Sequence, residues 1–310
     1  MNSLCDGKNR VTSPVSPQTL AIACALAAVI AWSSAFVGIR FALREISPGP
    51  LVFLRFLVAS VCFLCFVAAK QVRLPQRRDV PQLLLISFLG QAVYQFSLSF
   101  AQKRITAGAA GVLIALVPVL SAVFAIPVLK ERLSSRAWIG MVTSFAGVVL
   151  ISFGANGSVH FEPMSLLGVV AAASSAGYFV LQKPWLTRYT PLELTAYGIW
   201  TGMFTTLIFM PELPSIFRGA SASTLLTVIY LGVVPTALGY TLWSYALSHS
   251  PASQVSSFLY LEPIVTFLLA WMLLRETPTL AAIVGTVFIL VGVSLVNKRK
   301  PPLSGANESQ

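Results

Sequence analysis

The stretch SFLYLEPIVTFLLAWMLLRE, residues 257–276, is apolar enough to cross a bilayer, yet it carries Glu262 in its apolar run, directly before Pro263. A helix needs ~20 mostly apolar residues to span the hydrocarbon, so the carboxylate sits inside a candidate span. The surrounding chain has the same character. Of its 310 residues, 56% are hydrophobic and only 10% are charged, against about a quarter charged in a soluble domain. A soluble chain this apolar could not cover its own surface, so the composition is that of a membrane protein.

The net charge of +11 raises the question of nucleic acid. The basic residues fall in short clusters between apolar segments rather than along a stripe interleaved with aromatics, which excludes that reading. Anionic lipid and topology account for them instead, so the expected partners are the bilayer and a small-molecule substrate. Apolar runs lie near 19–42, 49–69, 82–102, 107–129, 136–155, 165–185, 191–211, 222–246, 252–274 and 279–297, which makes ten. The first is too long for a signal-peptide core and reads as a retained span. With the N-terminus inside, 14 Lys and Arg fall on inner segments and 5 on outer ones, Arg40 and Arg55 lying within spans. That bias predicts a multi-pass protein of the cell membrane with both termini cytoplasmic.

Shifted by 145 residues, the halves of the chain align. Leu116 and Pro118 fall on Leu261 and Pro263, Glu131 on Glu276, and Gly140 and Gly147 on Gly285 and Gly292. Ser33-Ser34-Ala35 resembles Ser174-Ser175-Ala176, and Ser47-Pro48 resembles Thr190-Pro191. Five spans per half is an odd number, so the second half enters the membrane from the opposite side, the arrangement of many secondary transporters. The expectation is an all-α integral membrane fold of ten transmembrane helices in two inverted five-helix repeats, 19–155 and 165–297. They are joined by an outer linker, 156–164, and flanked by cytoplasmic tails at 1–18 and 298–310.

The segment AWSSAFVGIRFALREISPGPLVFLRFLVA (31–59), the two P-x12-E stretches and the paired G-x6-G helices resemble the EamA family of the drug/metabolite transporter superfamily. The resemblance implies a bundle in which the first four helices of each repeat surround a central cavity and the fifth helices, 136–155 and 279–297, sit at the periphery. It also implies transport of amino acids, other metabolites or toxic compounds. Arg40 stands where many members carry Lys, which keeps the charge.

Polar residues in hydrocarbon normally face the bundle interior. Gln91, Tyr94, Gln95 and Gln102 share one stripe of the third span, and Ser174, Tyr178 and Gln182 recur at four-residue intervals in the sixth, with Ser175 beside them. Trp32, Ser33 and Ser34 in the first span and Tyr240, Trp243 and Ser244 in the eighth complete the candidate lining. Aromatic walls with neutral hydrogen-bond groups are the makeup of a small-molecule pocket. The serines read rather as helix packing, whereas Gln91, Tyr94, Tyr178 and Trp243 are bulky for a close crossing and lean toward a cavity.

Arg55 and Arg40 read as structural, near enough to span ends to snorkel or pair. Glu131 and Glu276 read as architecture, each stabilising the N-terminus of the next helix. Pro118 and Pro263 free a backbone carbonyl one turn earlier and permit a kink or hinge. Glu262 has Val117 as its repeat mate, so the shared fold does not require the carboxylate. A mid-membrane charge costs ~2.5–3.5 kcal/mol on insertion scales, which places it inside. Two readings stay open, a proton-coupling carboxyl and a structural acid, the latter either protonated and donating to the carbonyl that Pro263 frees or paired with an Arg from another span. On either helical reading Thr266 shares its face and Tyr260, ~200° away, does not.

The sequence therefore predicts a secondary transporter, an exporter of small metabolites or amino-acid-like compounds by alternating access, as a monomer or weak homodimer. Efflux of lipophilic cations is the alternative. An integral-membrane enzyme acting on lipid would need clustered catalytic groups, and His160 and His249 have no acidic companions at ligand spacing. No channel filter of the TVGYG kind is present, and Cys62-x-x-Cys65 lacks the neighbours of a metal or redox site. Neither the residues nor the resemblance calls for a cofactor or a metal.

Overall fold

The computed structural model describes residues 16–69, 72–129, 135–154, 162–250, 255 and 258–297. Among the described residues the chain is helical, with no strand. Helices α1 (Pro17–Ala42), α2 (Pro48–Ala68) and α3 (Val80–Ala101) come first. A broken fourth stretch follows as α4 (Ala107–Ile114) and α5 (Val117–Leu129), then α6 (Ser135–Gly154) and α7 (Ser165–Gln182). Next are α8 (Pro191–Thr205), the short α9 (Leu213–Gly219), α10 (Ala222–His249), α11 (Glu262–Leu269) and α12 (Leu280–Asn297).

Local chemistry sets the starts. The Ser16, Thr106 and Ser221 hydroxyls accept from backbone N–H groups of the first turns of α1, α4 and α10. Thr190 and Glu193 close a capping box at α8, satisfying donors that a helix N-terminus leaves unpaired. Pro stands in the first turn of α1, α2 and α8, where its missing N–H costs nothing. The matched Ser47-Pro48 and Thr190-Pro191 are thus two helix starts of one kind.

Among the described residues, six helical stretches are long and apolar enough to cross a membrane: α1, α2, α3, Ala107–Phe124, Ser165–Thr187 and α10. Shorter apolar helices run over Trp138–Gly147, Phe258–Leu274 and Leu280–Gly292. The seventh expected span, 191–211, is shorter than its hydropathy implied. α8 ends at Thr205, where the Thr205 and Thr206 hydroxyls donate back to the Gly202 carbonyl, and a 3₁₀ turn, Leu207–Glu212, follows.

The two matched prolines coincide with matched breaks. α4 stops at Ile114 and α5 resumes at Val117, just before Pro118; a 3₁₀ turn, Phe258–Leu261, precedes α11, whose second residue is Pro263. Proline has no N–H for the carbonyl four residues back, so the regular ladder cannot pass through. Wider π turns interrupt α3 at Phe88–Val93 and α10 at Gly232–Gly239, and another, Ala270–Leu274, follows α11.

α1 runs through the interior, burying Ala25, Ala28, Phe36, Ile39 and Ala42, and packs against α10, α11 and α4. α6 and α12 instead pack mainly on each other, leaving apolar side chains such as Val142, Phe145, Val287 and Val291 exposed on their far faces. Their crossing is built on the paired glycines. A Cβ on Gly147 would lie 2.5 Å from the Gly285 carbonyl oxygen, and one on Gly292 would strike that of Gly140. Exchanging repeat mates converts the first contact into the second.

Charged loops strap both ends of the bundle. Beyond α1, the Glu45 carboxylate accepts from the Ser221 N–H at 2.7 Å and the Ser221 hydroxyl at 2.8 Å. At the opposite end of α3, Asp79 accepts from the Tyr189 hydroxyl at 2.6 Å and pairs with Arg188 at 2.9 Å, while Glu193 accepts from Arg73 at 2.9 Å.

Two outcomes follow. Gly292→Leu forces a side chain between two backbones, and overpacking of this kind costs ~1–3 kcal/mol; a lowered thermal unfolding midpoint in detergent is expected, with no change for an exposed control such as Val287→Leu. The Ser221 N–H, then its hydroxyl, hold the Glu45 carboxyl below its ordinary range. Its contribution is therefore present at neutral pH and lost as pH falls through the lowered value. Glu45→Gln should flatten the acid side of the stability profile, read as midpoint against pH.

Candidate functional site

Two small hollows meet at the centre of the bundle. Trp32, Tyr94, Ile114, Val117, Ser175, Phe179, Tyr240, Leu259 and Glu262 line the first. Trp32, Ala35, Phe36, Ile39, Arg55, Tyr94, Gln95, Leu98 and Tyr240 line the second. Trp32, Tyr94 and Tyr240 border both. Neither hollow has more free space than about one water molecule needs, so this conformation is closed around its centre.

The helix irregularities bring these groups together. Trp32 Nε1 donates to the Pro235 carbonyl, inside the π turn of α10, at 2.9 Å. Its ring stacks on Phe179 at 6.2 Å between centroids and leans on Tyr240 at 5.2 Å and Trp243 at 5.0 Å. Val117 and Glu262, mates across the repeat, both reach the first hollow from the two proline-marked breaks.

Glu262 is 1% exposed, and its Oε2 has no hydrogen-bond partner. Arg55 is 3% exposed. One of its terminal nitrogens donates to Gln95 Oε1 at 2.8 Å and the other to Thr236 Oγ1 at 3.3 Å, while Nε is unpartnered. Among the described residues neither charge has an oppositely charged group within 4.0 Å. Arg55 thus neither snorkels nor pairs with an acid, contrary to the sequence expectation: its side chain turns inward, to a glutamine and a threonine on α3 and α10.

The remaining candidates divide. Gln91 and Tyr178 are buried side by side against Gly198, outside the hollows. Gln182 and Trp243 are buried as well, Trp243 backing the Trp32 ring. Ser34 faces elsewhere, bonding the Ala31 carbonyl and the Tyr230 hydroxyl. Ser33 and Ser174 donate to the carbonyls of Val29 and Leu89. Thr266 donates to the Ser33 carbonyl at 3.5 Å.

Phe179, Ile114 and Leu259 were absent from the sequence-derived set because an apolar residue in an apolar span carries no signal. Thr236 was absent for want of a stripe. The repeat alignment itself pointed to Val117.

Glu276 does not serve the helix that follows it. Arg275 adopts a left-handed conformation, φ 57°, after the π turn, and the chain doubles back. The Glu276 carboxylate then accepts from the N–H of Ala107, at the start of α4, at 3.0 Å, and from Arg40 Nε at 3.3 Å. Arg40 also donates to the carbonyls of Gln102 at 2.6 Å and Lys103 at 3.2 Å. One carboxylate thereby ties α1, α3, α4 and the end of the α11 stretch. Its mate Glu131 lies outside the described residues.

A multi-pass helical bundle enclosing an aromatic centre with two buried charges is the frame of a membrane carrier. The chain belongs to the EamA-like transporter family, whose pattern matches residues 19–153 and 163–298. It is 34% identical over 262 residues to the "Uncharacterized transporter YdfC" of Bacillus subtilis (strain 168), covering 84% of this chain and 86% of that one. To the "Probable terminal-alkyne amino-acid exporter" of Streptantibioticus cattleyicolor it is 32% identical over 274 residues, 87% and 91% of the two chains. To the "Probable amino-acid metabolite efflux pump" of Salmonella typhimurium it is 28% identical over 283 residues, 87% and 92%. A crystal structure with 21% identity shares the fold at a TM-score of 0.65, covering 89% of this chain and 95% of that one. The chain is a membrane transporter and not an enzyme.

Trp32→Phe keeps an aromatic ring in the stack but removes the donor to the Pro235 carbonyl. A net loss of ~1 kcal/mol is expected for one such bond, seen as a lowered unfolding midpoint; an unchanged midpoint would mean that the bond does not contribute to stability.

Proposed function

We propose that this transporter is an exporter of small amino-acid-like metabolites in the cell membrane, working by alternating access between two inverted five-helix repeats. The reading has ten spans, repeats at 19–155 and 165–297, and both termini in the cytoplasm. The observation that carries it is the meeting of Val117 and Glu262 in one hollow, each at a proline-marked break in its own repeat. A site at the repeat interface, walled by discontinuous helices, is the design by which such carriers expose one site to each side in turn. The self-mapping glycine crossing of α6 and α12 supports the inversion, and the printed names of two relatives support an amino-acid-like cargo. On this topology the Arg40–Glu276 cluster closes the outer end.

Glu262 is the proton-coupling group in this reading. Tyr94 and Tyr240 face it across the first hollow, with Arg55 beyond them in the second. Efflux of lipophilic cations is a second reading, favoured by a carboxylate among aromatic rings, a combination that attracts organic cations.

Purified protein screened by thermal unfolding against amino acids, other metabolites and lipophilic cations separates the two, since a ligand that binds only the folded state raises its midpoint. Stabilisation by amino acids is expected; stabilisation by lipophilic cations alone replaces the first reading with the second. In vesicles, Glu262→Gln should abolish the pH dependence of transport while the protein still assembles. A variant that retains the native pH dependence would remove Glu262 from the coupling role.

A further inference from the structure

We infer that Arg55 and Glu262 are the two poles of one site for a zwitterion, Arg55 taking the carboxylate and Glu262 the ammonium of an amino acid whose side chain lies against Trp32, Tyr94 and Tyr240. The inference rests on the exporter reading and adds the substrate's charge pattern to it.

A buried charge is costly unless it is paired. Here a guanidinium and a carboxyl lie in the interior of one bundle, 3% and 1% exposed, with no ion-pair partner within 4.0 Å of either among the described residues. A pair serving the fold would have closed on itself. These groups line two hollows that have Trp32, Tyr94 and Tyr240 in common, Glu262 the first and Arg55 the second.

Each pole also keeps an unused atom, Nε of Arg55 and Oε2 of Glu262. Gln95 and Thr236 hold the guanidinium by neutral bonds at 2.8 and 3.3 Å. These fix its plane without cancelling its charge, so it remains available to an anion. Guanidinium with carboxylate is a charge-assisted pairing of high directional specificity. A solute carrying only one charge would satisfy one pole and leave the other stranded. A zwitterion satisfies both, and the discrimination comes mainly from the penalty of the group left unpaired.

The site has room for such a solute only after the hollows merge. The breaks beside Val117 and Glu262 place two movable wall segments there. Glu262 can hold either a proton or the substrate ammonium, so the same carboxylate that reads the cargo also makes its departure exclusive with proton entry.

The test uses the full-length protein in detergent, with unfolding midpoints measured for the twenty standard amino acids. For each one that binds, its carboxamide, which lacks the anion, and its desamino acid, which lacks the ammonium, are measured in parallel. In the native chain both analogues are expected to bind at least ten-fold more weakly than the amino acid. Arg55→Gln should remove the preference over the carboxamide alone, and Glu262→Gln the preference over the desamino acid alone. If Arg55→Gln does not fold, the native-chain analogue series and the near-isosteric Glu262→Gln still decide. An analogue that binds as tightly as its parent overturns the two-pole site while leaving the exporter reading in place. Absence of binding by all twenty amino acids overturns both.

Discussion

Inside the hydrocarbon no water is available to finish a hydrogen bond, so every interruption of a helix has to be completed by another part of the chain. That constraint organises this protein. At the π turn of α10 the Thr236 hydroxyl donates to the Leu231 carbonyl and the indole of Trp32 to that of Pro235. The Gln102 amide meets the Phe36 carbonyl at 2.8 Å, and Arg40 meets those of Gln102 and Lys103 where α3 ends. At the N-terminus of α4 the Glu276 carboxylate accepts from the Ala107 N–H, beside the Thr106 hydroxyl that accepts from that of Ala109. Irregular backbone and the side chain that compensates it come from distant positions, so the local breaks also hold the bundle together.

The same rule gives the centre its meaning. Buried hydroxyls such as those of Ser33, Thr201 and Thr206 are absorbed by carbonyls of their own helices. Arg55 and Glu262 are not absorbed in this way, since each retains an unpartnered atom beside a hollow.

Much of this was legible in the sequence because it is written in short-range chemistry. Ser47-Pro48 and Thr190-Pro191 marked helix starts, the matched prolines marked breaks, and Glu262 marked the interior by the cost of placing a carboxylate there. Residues whose role depends on long-range geometry were read less well. Glu276 looked like a cap for the helix after it, but the left-handed Arg275 turns it toward Ala107, 169 residues earlier. Arg55 looked like a snorkelling side chain because its distance from the span start was visible and the inward turn toward Gln95 and Thr236 was not. Phe179 could not be told from any other phenylalanine in an apolar run. Hydropathy also ran past the true end of α8, since it registers apolar content and not hydroxyls turned back on carbonyls.

The crossing of α6 and α12 has a mechanical consequence. Where two helices meet through side chains, a layer of rotamers can re-pack and let one element slide past the other. At Gly147 against Gly285, and Gly140 against Gly292, main chain meets main chain, with only Ile289 and Ser144 side chains alongside. The crossing therefore resists sliding more than a side-chain interface would, since displacement along it would drive carbonyl oxygens into neighbouring main chain.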